Sequence, residues 1–306
     1  MPTSGPPPDA RRLLVERNAA REAQDWPRAD ELRDELAAMG WEVQDRATRS
    51  TLRPILRPTE RERLPSLLAE PAEIPCSIQV VADDHPGDLD RLLRGLAGHP
   101  PAVAWELVVV ANRPSFDLDT TLAQAGLAIE PSLIASAERL GWADARTMGI
   151  GRSRGEITIL LDSSLEPVGD FATPLLAAFE DPTVGLAGGW GVTSTDARQF
   201  EEAPPGEVDA IEGYCLAVRR AALQAVGGFD RRFRFYRNAD LDFSFAVRAA
   251  GWRAIRTEPL PFARHEHRGY TSLPDAERDR LSRRNFYRFL DHWGARPDLL
   301  LAHRDR

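Results

Sequence analysis

The sequence predicts an α/β protein: a doubly wound, mostly parallel sheet preceded by a small N-terminal helical hairpin. From residue 76 onward, apolar strand-like runs alternate with amphipathic helical stretches, and this alternation is typical of parallel sheets covered by helices on both faces. Before residue 46, apolar residues recur at helical spacing. We therefore expect a hairpin at 1–46, a Pro- and Arg-rich linker at 47–75 and the main domain at 76–306.

Composition excludes several classes of function. The chain has 306 residues and a formal net charge of -8, which argues against an extended nucleic-acid footprint. All 39 basic residues are arginine, so Schiff-base lysine chemistry and a Walker-type phosphate site are excluded. No apolar run approaches the ~18 residues that span a bilayer, and the first residues lack the apolar core of a signal peptide. We expect a cytoplasmic protein without a membrane span.

The N-terminal hairpin has clear helix signals. Asp25 is a candidate N-cap with Pro27 in the following turn, Leu32 and Leu36 continue an apolar stripe, and Gly40 is a natural helix stop. Through its ER-x-x-AR, DW-x-x-AD-x-LRDEL and G-x-x-V-x-D elements, this segment resembles the C-terminal tail of cysteinyl-tRNA synthetases. The match includes none of the catalytic or zinc-binding parts of the synthetase. We therefore expect an element that docks a protein partner, with a tRNA-associated role as the weaker alternative.

In the main domain, the pattern predicts an ordered series of strands and helices. Strands are expected at 76–82, 105–111, 127–131 and 157–161, and helices at 88–96, 118–125 and 142–153. Ligands of such sheets bind beyond the carboxyl ends of the strands. Asp162 directly follows the strand at 157–161 and is therefore a candidate site residue. The alternative is a helix-capping or turn aspartate.

Four sequence blocks carry a resemblance to the family 2 glycosyltransferases. They are SIQVVADDHP at 77–86, the stretch from 142 to 162, EGYCLAVRRAALQAVGGFD at 212–230, and ADLDFSFAVRAAGWR at 239–253 followed by two histidines and RRNFYRF. The resemblance runs from about Cys76 to Trp293. It implies the nucleotide-sugar transferase (GT-A) fold and the binding of a nucleotide-sugar donor.

The resemblance implies a site for a divalent cation, Mn²⁺ or Mg²⁺. The family holds the cation with an acid-x-acid motif at a strand end; Asp162 matches the first acid and Ser164 replaces the second. A hydroxyl ligates without adding charge, so we expect weaker metal binding. A histidine can complete the site in the family. His265 and His267 both qualify, because alternate residues of an extended chain share one face.

The resemblance also implies donor-binding residues on neighbouring elements. The family has an acid after the second strand, where this chain has Ala111 and Asn112; Asn112 can still hydrogen-bond a base or ribose. Arg146 matches the arginine of an Ala-Arg-Asn segment near the donor, with Thr147 in place of the asparagine. The alternative for Arg146 is a surface arginine of an amphipathic helix.

The general base implied by the resemblance is Asp240. In the family it belongs to a Glu-Asp pair at a helix start, and here Ala239 replaces the glutamate. A base is needed because the acceptor hydroxyl loses its proton during an inverting attack. The alternative is that Asp240 and Asp242 only stabilise a helix N-terminus.

Together these residues indicate a transferase that moves a sugar from a nucleoside diphosphate donor to a hydroxyl acceptor, a glycan or another molecule, with inversion. Three positions that are acidic in the family are neutral in this chain, namely Ala111, Ser164 and Ala239. The competing hypothesis is therefore a catalytically degenerate binding or scaffold protein with the same fold.

Overall fold

The computed structural model describes residues 6–45, 50–54, 65–136 and 138–304. It confirms the predicted α/β class, with an eight-stranded, mostly parallel sheet flanked by helices. Of the predicted linker, residues 47–49 and 55–64 lie outside the described residues. Among the described residues, no helix combines the length and the apolar character that crossing a bilayer requires.

Helices and strands alternate along most of the main domain. The helices are α1 Pro8–Glu22, α2 Trp26–Ala38, α3 Pro86–Gly98, α4 Leu118–Gln124, α5 Trp142–Ile150, α6 Ala172–Ala177, α7 Arg220–Val226, α8 Ala239–Ala249, α9 Arg268–Thr271 and α10 Asp275–Trp293. The strands are β1 Trp41–Asp45, β2 Ser50–Pro54, β3 Ile74–Ala82, β4 Trp105–Ala111, β5 Ser132–Ala135, β6 Gly155–Leu161, β7 Leu165–Pro167, β8 Val184–Gly188, β9 Gly191–Thr193, β10 Glu201–Glu202, β11 Gly206–Glu207, β12 Ala210–Ile211, β13 Cys215–Arg219, β14 Arg253–Arg256 and β15 Phe262–Arg264. Short 3₁₀ helices lie at Leu67–Ala69, Ala178–Glu180, Pro297–Leu299 and Leu301–His303.

The N-terminal unit consists of two helices followed by a β-hairpin. Asp25 caps α2 by accepting a hydrogen bond from the Arg28 amide at 3.2 Å, and the apolar side of the pair buries Leu32 and Leu36. The chain leaves α2 through Gly40, whose φ of +83° requires glycine. Strands β1 and β2 then pair antiparallel. Strand β2 lies within the stretch expected to be a linker, and the boundaries at 46 and 75 stay a prediction.

The central sheet has the strand order β11-β14-β8-β13-β6-β3-β4-β5. Strand β3 pairs in parallel with both β4 and β6, whereas β13 runs antiparallel between β6 and β8. The strands expected at 76–82, 105–111 and 157–161 are present as β3, β4 and β6, whose Val- and Ile-rich runs are buried. The strand expected at 127–131 is wrong: β5 begins at Ser132, after Pro131, which has no N–H for a sheet ladder.

Helices cover both faces of the sheet, and the buried apolar residues that the structure describes form three clusters. One packs α3 and α6 against β3, β4 and β6, a second packs α7, α8 and α10 against β8 and β13, and a smaller third packs α5 against β4 and β5. Both cysteines, Cys76 and Cys215, are buried and free. The carboxyl ends of β3, β4 and β6 meet at one edge of the sheet, where they place Asp83, Asn112 and Asp162 side by side.

Candidate active site

Asp162 lies in the wall shared by two cavities. The strand-end cavity, of about 370 Å³, is lined by Asp83, Asn112, Arg146 and Arg234 among others. The helix-side cavity, of about 430 Å³, is lined by Asp240, Glu212 and residues of α10. Trp142, Tyr236 and His267 border both. A group on Asp162 is therefore accessible from either side.

The carboxylate of Asp162 is partly engaged by its own turn. Its Oδ1 accepts hydrogen bonds from the amide of Ser164 at 2.9 Å and from the Ser164 hydroxyl at 2.5 Å. Its Oδ2 lies 3.3 Å from Nε2 of His267. Burial alone raises the pKa of Asp162, but His267, Arg146 and Ser164 together outweigh it and hold the pKa below its ordinary range. Asp162 is therefore an anionic residue with one oxygen directed at an imidazole.

The structure separates the two candidate histidines. The ring of His267 stacks on Tyr236 with centroids 4.4 Å apart and faces Asp162. Burial lowers the pKa of His267, and the contact with Asp162 outweighs this and raises it. His265 instead approaches Glu166, with Nε2 2.7 Å from Oε2. The chain leaves β15 at Arg264, so the alternation expected of an extended strand no longer holds at these positions.

Asn112 is buried and holds the neighbouring strand end in place. Its amide nitrogen donates to Asp83 Oδ1 at 2.9 Å and to the Leu140 carbonyl at 3.3 Å, while its oxygen accepts from the Leu140 amide at 2.7 Å. These contacts use both amide hydrogens. Asn112 therefore positions Asp83, which itself lines the strand-end cavity.

Asp83 is a candidate site residue that the sequence did not single out. It follows β3 directly, as Asp162 follows β6, so the same strand-end argument would have identified it. Burial raises the pKa of Asp83, opposed by Arg139 and by the hydrogen bond from Asn112. The strand-end cavity thus has an acid at β3, beside the position on β4 where the family's acid is missing.

Arg146 is buried rather than on a surface. Its guanidinium donates to the side-chain oxygen of Gln79 at 2.8 Å and to the Leu161 carbonyl at 2.9 Å. It therefore joins β3 to the end of β6 next to Asp162, and its positive charge lowers the pKa of that carboxyl.

Asp240 lies in the first turn of α8 and borders the helix-side cavity. Its Oδ2 accepts from the Gly213 amide at 2.9 Å and its Oδ1 from the Leu241 amide at 3.0 Å. Burial raises the pKa of Asp240 against these hydrogen bonds. Glu212, also missed in the sequence, lines the same cavity, and burial together with the charge of Asp240 raises its pKa. Two carboxyls of increased basicity therefore face one cavity.

Asp162, Ser164 and His267 form a donor set that fits a divalent cation. A carboxylate oxygen and an imidazole nitrogen suit Mn²⁺, and the remaining positions would be taken by ligand oxygens and water. A second group in the described part of the chain also has suitable ligand types, namely Asp230, Asp242 and His292. There Arg232 pairs with Asp230 at 2.7 Å and also contacts the ring of His292. That second group therefore already contains a cation, the guanidinium.

Comparison with known proteins confirms both resemblances seen in the sequence. The profile described as glycosyl transferase family 2 matches residues 85–260, more than half of the chain. The profile described as cysteinyl-tRNA ligase anticodon binding domain matches residues 3–53. The hairpin is also 56% identical over 41 residues to a cysteine–tRNA ligase of Phenylobacterium zucineum, covering 13% of this chain and 9% of that protein.

Two further relatives concern the main domain. An N-acetylglucosaminyl-diphospho-decaprenol L-rhamnosyltransferase of Mycobacterium tuberculosis is 35% identical over 74 residues, 24% of either chain. The crystal structure of GalNAc-T7 with UDP, GalNAc and Mn²⁺ superposes with a TM-score of 0.56 at 16% identity, covering 74% of this chain and 49% of that one. This superposition shows the GT-A fold. The chain spans a quarter or less of the length of the curated relatives that it matches.

Proposed function

The chain belongs to glycosyl transferase family 2, and we propose that it transfers a sugar from a nucleoside diphosphate donor to a hydroxyl of an acceptor, with inversion. The observation that carries this proposal is the position of Asp162 between two cavities, with the half-buried carboxyl of Asp240 on the far side. One cavity would hold the donor and the other the acceptor, so the reacting atoms would meet beside Asp162.

The strand-end cavity suits a nucleoside diphosphate. Asp83 offers a carboxylate to ribose or base hydrogen-bond donors, while Arg234 and Arg268 border the cavity and offer charge to phosphate oxygens. For the structural neighbour, UDP, GalNAc and Mn²⁺ are the molecules named with it. Asn112 and Arg146 contribute indirectly in this proposal, because their side chains hold Asp83 and the strand end that carries Asp162.

A divalent cation would be held by Asp162, Ser164 and His267. When bound, it supplies positive charge to the diphosphate that leaves with the nucleotide. His267 must present a neutral nitrogen to the cation, so binding of the cation would favour the deprotonated form of the ring nitrogen that faces Asp162. His265 has its own partner in Glu166, and we assign it no ligand role.

Asp240 would act as the general base. Its two backbone hydrogen bonds fix the orientation of the carboxylate, and its raised pKa makes it a better proton acceptor. It would take the proton of the acceptor hydroxyl as that oxygen attacks the anomeric carbon. The bond from that carbon to the diphosphate breaks on the opposite face, which inverts the anomeric centre.

A binding module without catalysis is the second candidate. It is favoured by one observation: the Ser164 hydroxyl donates a hydrogen bond to Oδ1 of Asp162. This carboxylate oxygen is therefore already engaged within the protein, at the place where a metal ion would bind. Nucleotide binding without turnover would support it. The protein partner expected at the hairpin and the cytoplasmic location stay predictions from the sequence.

Release of nucleoside diphosphate from a panel of uridine, guanosine and thymidine diphosphate sugars, with Mn²⁺ present, tests the catalytic proposal. Asp240→Asn should lower the rate by about 10²–10⁴-fold. Asp279→Asn, an exposed aspartate of α10, should retain the wild-type rate. Equal rates for wild type and Asp240→Asn would remove Asp240 as the base.

A further inference from the structure

Three arginines border the helix-side cavity and come from separate segments of the chain. Arg198 follows β9, Arg237 precedes α8 and Arg283 lies on α10. Their side chains make no ion pair or hydrogen bond with any residue that the structure describes. The segment of Arg198 packs on α10 through Phe200 and Phe289, whose ring centroids lie 5.7 Å apart. Arg198 and Arg283 are therefore carried by elements in direct contact.

Arginines elsewhere in the domain are commonly paired. Arg253 contacts Asp181 at 2.7 Å and Glu207 at 2.9 Å, and Arg154 contacts Glu106 at 2.9 Å. The three guanidinium groups at the helix-side cavity have no such carboxylate partner among the described residues, so ion pairs within the protein do not neutralise them.

The carboxylates near these arginines have other partners. Asp162 is engaged by His267 and Ser164, and Asp240 by two backbone amides. The positive charge of Arg237 offsets part of the increase that burial causes in the pKa of Asp240 and of Glu212. Arg237 nevertheless forms no ion pair with either carboxylate among the described residues.

The carboxylate of Asp196 lies in the vicinity of Arg198. The backbone amides of Gln199 and Arg198 bind this carboxylate and lower its pKa, and the charge of Arg198 adds a smaller effect. Asp196 does not line the helix-side cavity. The guanidinium of Arg198 therefore remains free to contact a ligand inside the cavity.

The same region contains an unsatisfied polar atom. The hydroxyl of Ser282, next to Arg283, is buried and has no hydrogen-bond partner among the described residues. Ser282 lines the helix-side cavity, as do the aromatic rings of Phe200 and Phe286. An incoming ligand would thus find a hydroxyl and guanidinium donors beside an apolar surface.

We propose that the acceptor carries a phosphate group, which Arg198, Arg237 and Arg283 bind while its hydroxyl faces Asp240. This inference rests on the proposed function for the role of that hydroxyl, and the phosphate site itself does not depend on it. A phosphate monoester has close to two negative charges and three acceptor oxygens at neutral pH. Three separate guanidinium groups match this better than they match the single charge of a carboxylate.

Calorimetric titration of the full chain with inorganic phosphate and with glucose 1-phosphate tests the site. The uncharged methyl glucoside is the ligand control. Arg283→Gln should weaken phosphate binding by about tenfold or more, since charge-assisted hydrogen bonds are lost. Arg284→Gln is the matched control, because Arg284 is exposed on the same helix and does not border the cavity. It should bind phosphate as the wild type does.

A further variant assigns the binding to the helix-side cavity. Arg198→Gln alters a different segment that borders this cavity and not the strand-end cavity, so it should also weaken phosphate binding by about tenfold or more. The inference is overturned if phosphate does not bind, if it binds no better than methyl glucoside, if Arg198→Gln binds phosphate as the wild type does, or if Arg284→Gln weakens binding as much as Arg283→Gln. A nucleotide titration run in parallel separates this failure from failure of the proposed function.

The phosphate could belong to a soluble sugar phosphate or to a lipid-linked one. Phosphatidylcholine vesicles with and without a polyprenyl phosphate distinguish these sources. Binding of glucose 1-phosphate alone, dependent on Arg283, assigns a soluble acceptor. Binding to the polyprenyl phosphate vesicles, dependent on Arg283 and absent from pure phosphatidylcholine, assigns a lipid-linked one. Either result supports the site, and binding to neither overturns it.

Discussion

The two cavities that meet at Asp162 treat their charged groups in opposite ways. In the strand-end cavity, Asp83 is held by Asn112, and Asp162 is held by Ser164 and His267. In the helix-side cavity, Arg198 and Arg283 make no such contacts with the described residues. The carboxylates of both cavities are therefore held in place before a ligand arrives, whereas these arginines of the helix-side cavity are left for a ligand to pair.

Polar groups of neighbouring elements lie beside the degenerate motif positions. The family's acid on β4 is replaced by the neutral pair Ala111 and Asn112, and Asp83 after the adjacent strand places a carboxylate in the same cavity. Ser164 adds no charge, and a ring nitrogen of His267 lies 3.3 Å from the same aspartate. In the proposed function, these groups take the place of the ligands that the linear motif lacks.

Removing the negative charge of Asp162, which borders both cavities, should have the largest effect on donor turnover. Asp162→Asn eliminates the anionic cation ligand, and we expect donor turnover to fall by about 10²–10³-fold, the loss typical of one electrostatic catalytic group. Nucleotide affinity should fall with it. Asp240→Asn should instead lose turnover while nucleotide affinity, measured by calorimetry, is retained. A variant of Asp162 that binds nucleotide like the wild type would contradict the division between the cavities.

The hydrogen bonds that Asn112 makes beside the strand-end cavity should contribute to the free energy of unfolding. Asn112→Ala leaves Asp83 and both backbone groups of Leu140 without their partner, and should lower the free energy of unfolding by about 2 kcal/mol. Asn112→Asp should be at least as damaging, because it places a carboxylate beside Asp83. Urea denaturation measures both. Gln124→Ala, an exposed amide at the end of α4, should change little, and an equally stable Asn112→Ala would remove Asn112 as a support.

The pH dependence of turnover sharpens the assignment of Asp240. Burial raises its pKa above the ordinary value of 3.8, and only the deprotonated carboxylate can accept a proton. Turnover should therefore fall as pH decreases through this raised pKa, about tenfold for each pH unit below it. The same shift favours the protonated form in the folded state, so its contribution to stability is present below pH 3.8 and is lost as pH rises through the raised pKa. An acid limb centred at or below 3.8 would exclude Asp240.

The smallest effect is expected from the N-terminal unit. Removal of residues 1–64 should change nucleotide affinity by less than about twofold, because additive effects are expected for distant sites. Strand β2 approaches the α4–β5 edge of the sheet, where Thr51 and Leu52 border a separate cavity with Leu122. A large loss of nucleotide binding by an otherwise folded truncation would give the hairpin a direct role in the site.

Much of the fold and part of the site are local properties of the sequence. Strands β3, β4 and β6 are predicted from continuous apolar runs, which the structure buries on both faces of the sheet. Asp162 and Asp240 are identified as candidates from the local segments that contain them. The role of Asn112 as a support depends on contacts 28 and 29 residues away. The separation of His267 from His265 depends on where β15 ends. The proximity of Glu212 to Asp240 depends on the loop before β13 reaching α8. None of these three arrangements follows from a spacing pattern in the sequence.

A calorimetric titration of uridine, guanosine and thymidine diphosphates with and without Mn²⁺ tests whether Asp162 and His267 hold a cation at the strand end. A single strand-end carboxylate assisted by His267 should hold the cation against a diphosphate. At least one nucleotide should then bind with a Kd below about 1 mM, equivalent to about 4 kcal/mol, and more tightly with Mn²⁺ than without it. Nucleotide binding that is indifferent to Mn²⁺, or no binding at millimolar concentration, would contradict this account of Asp162.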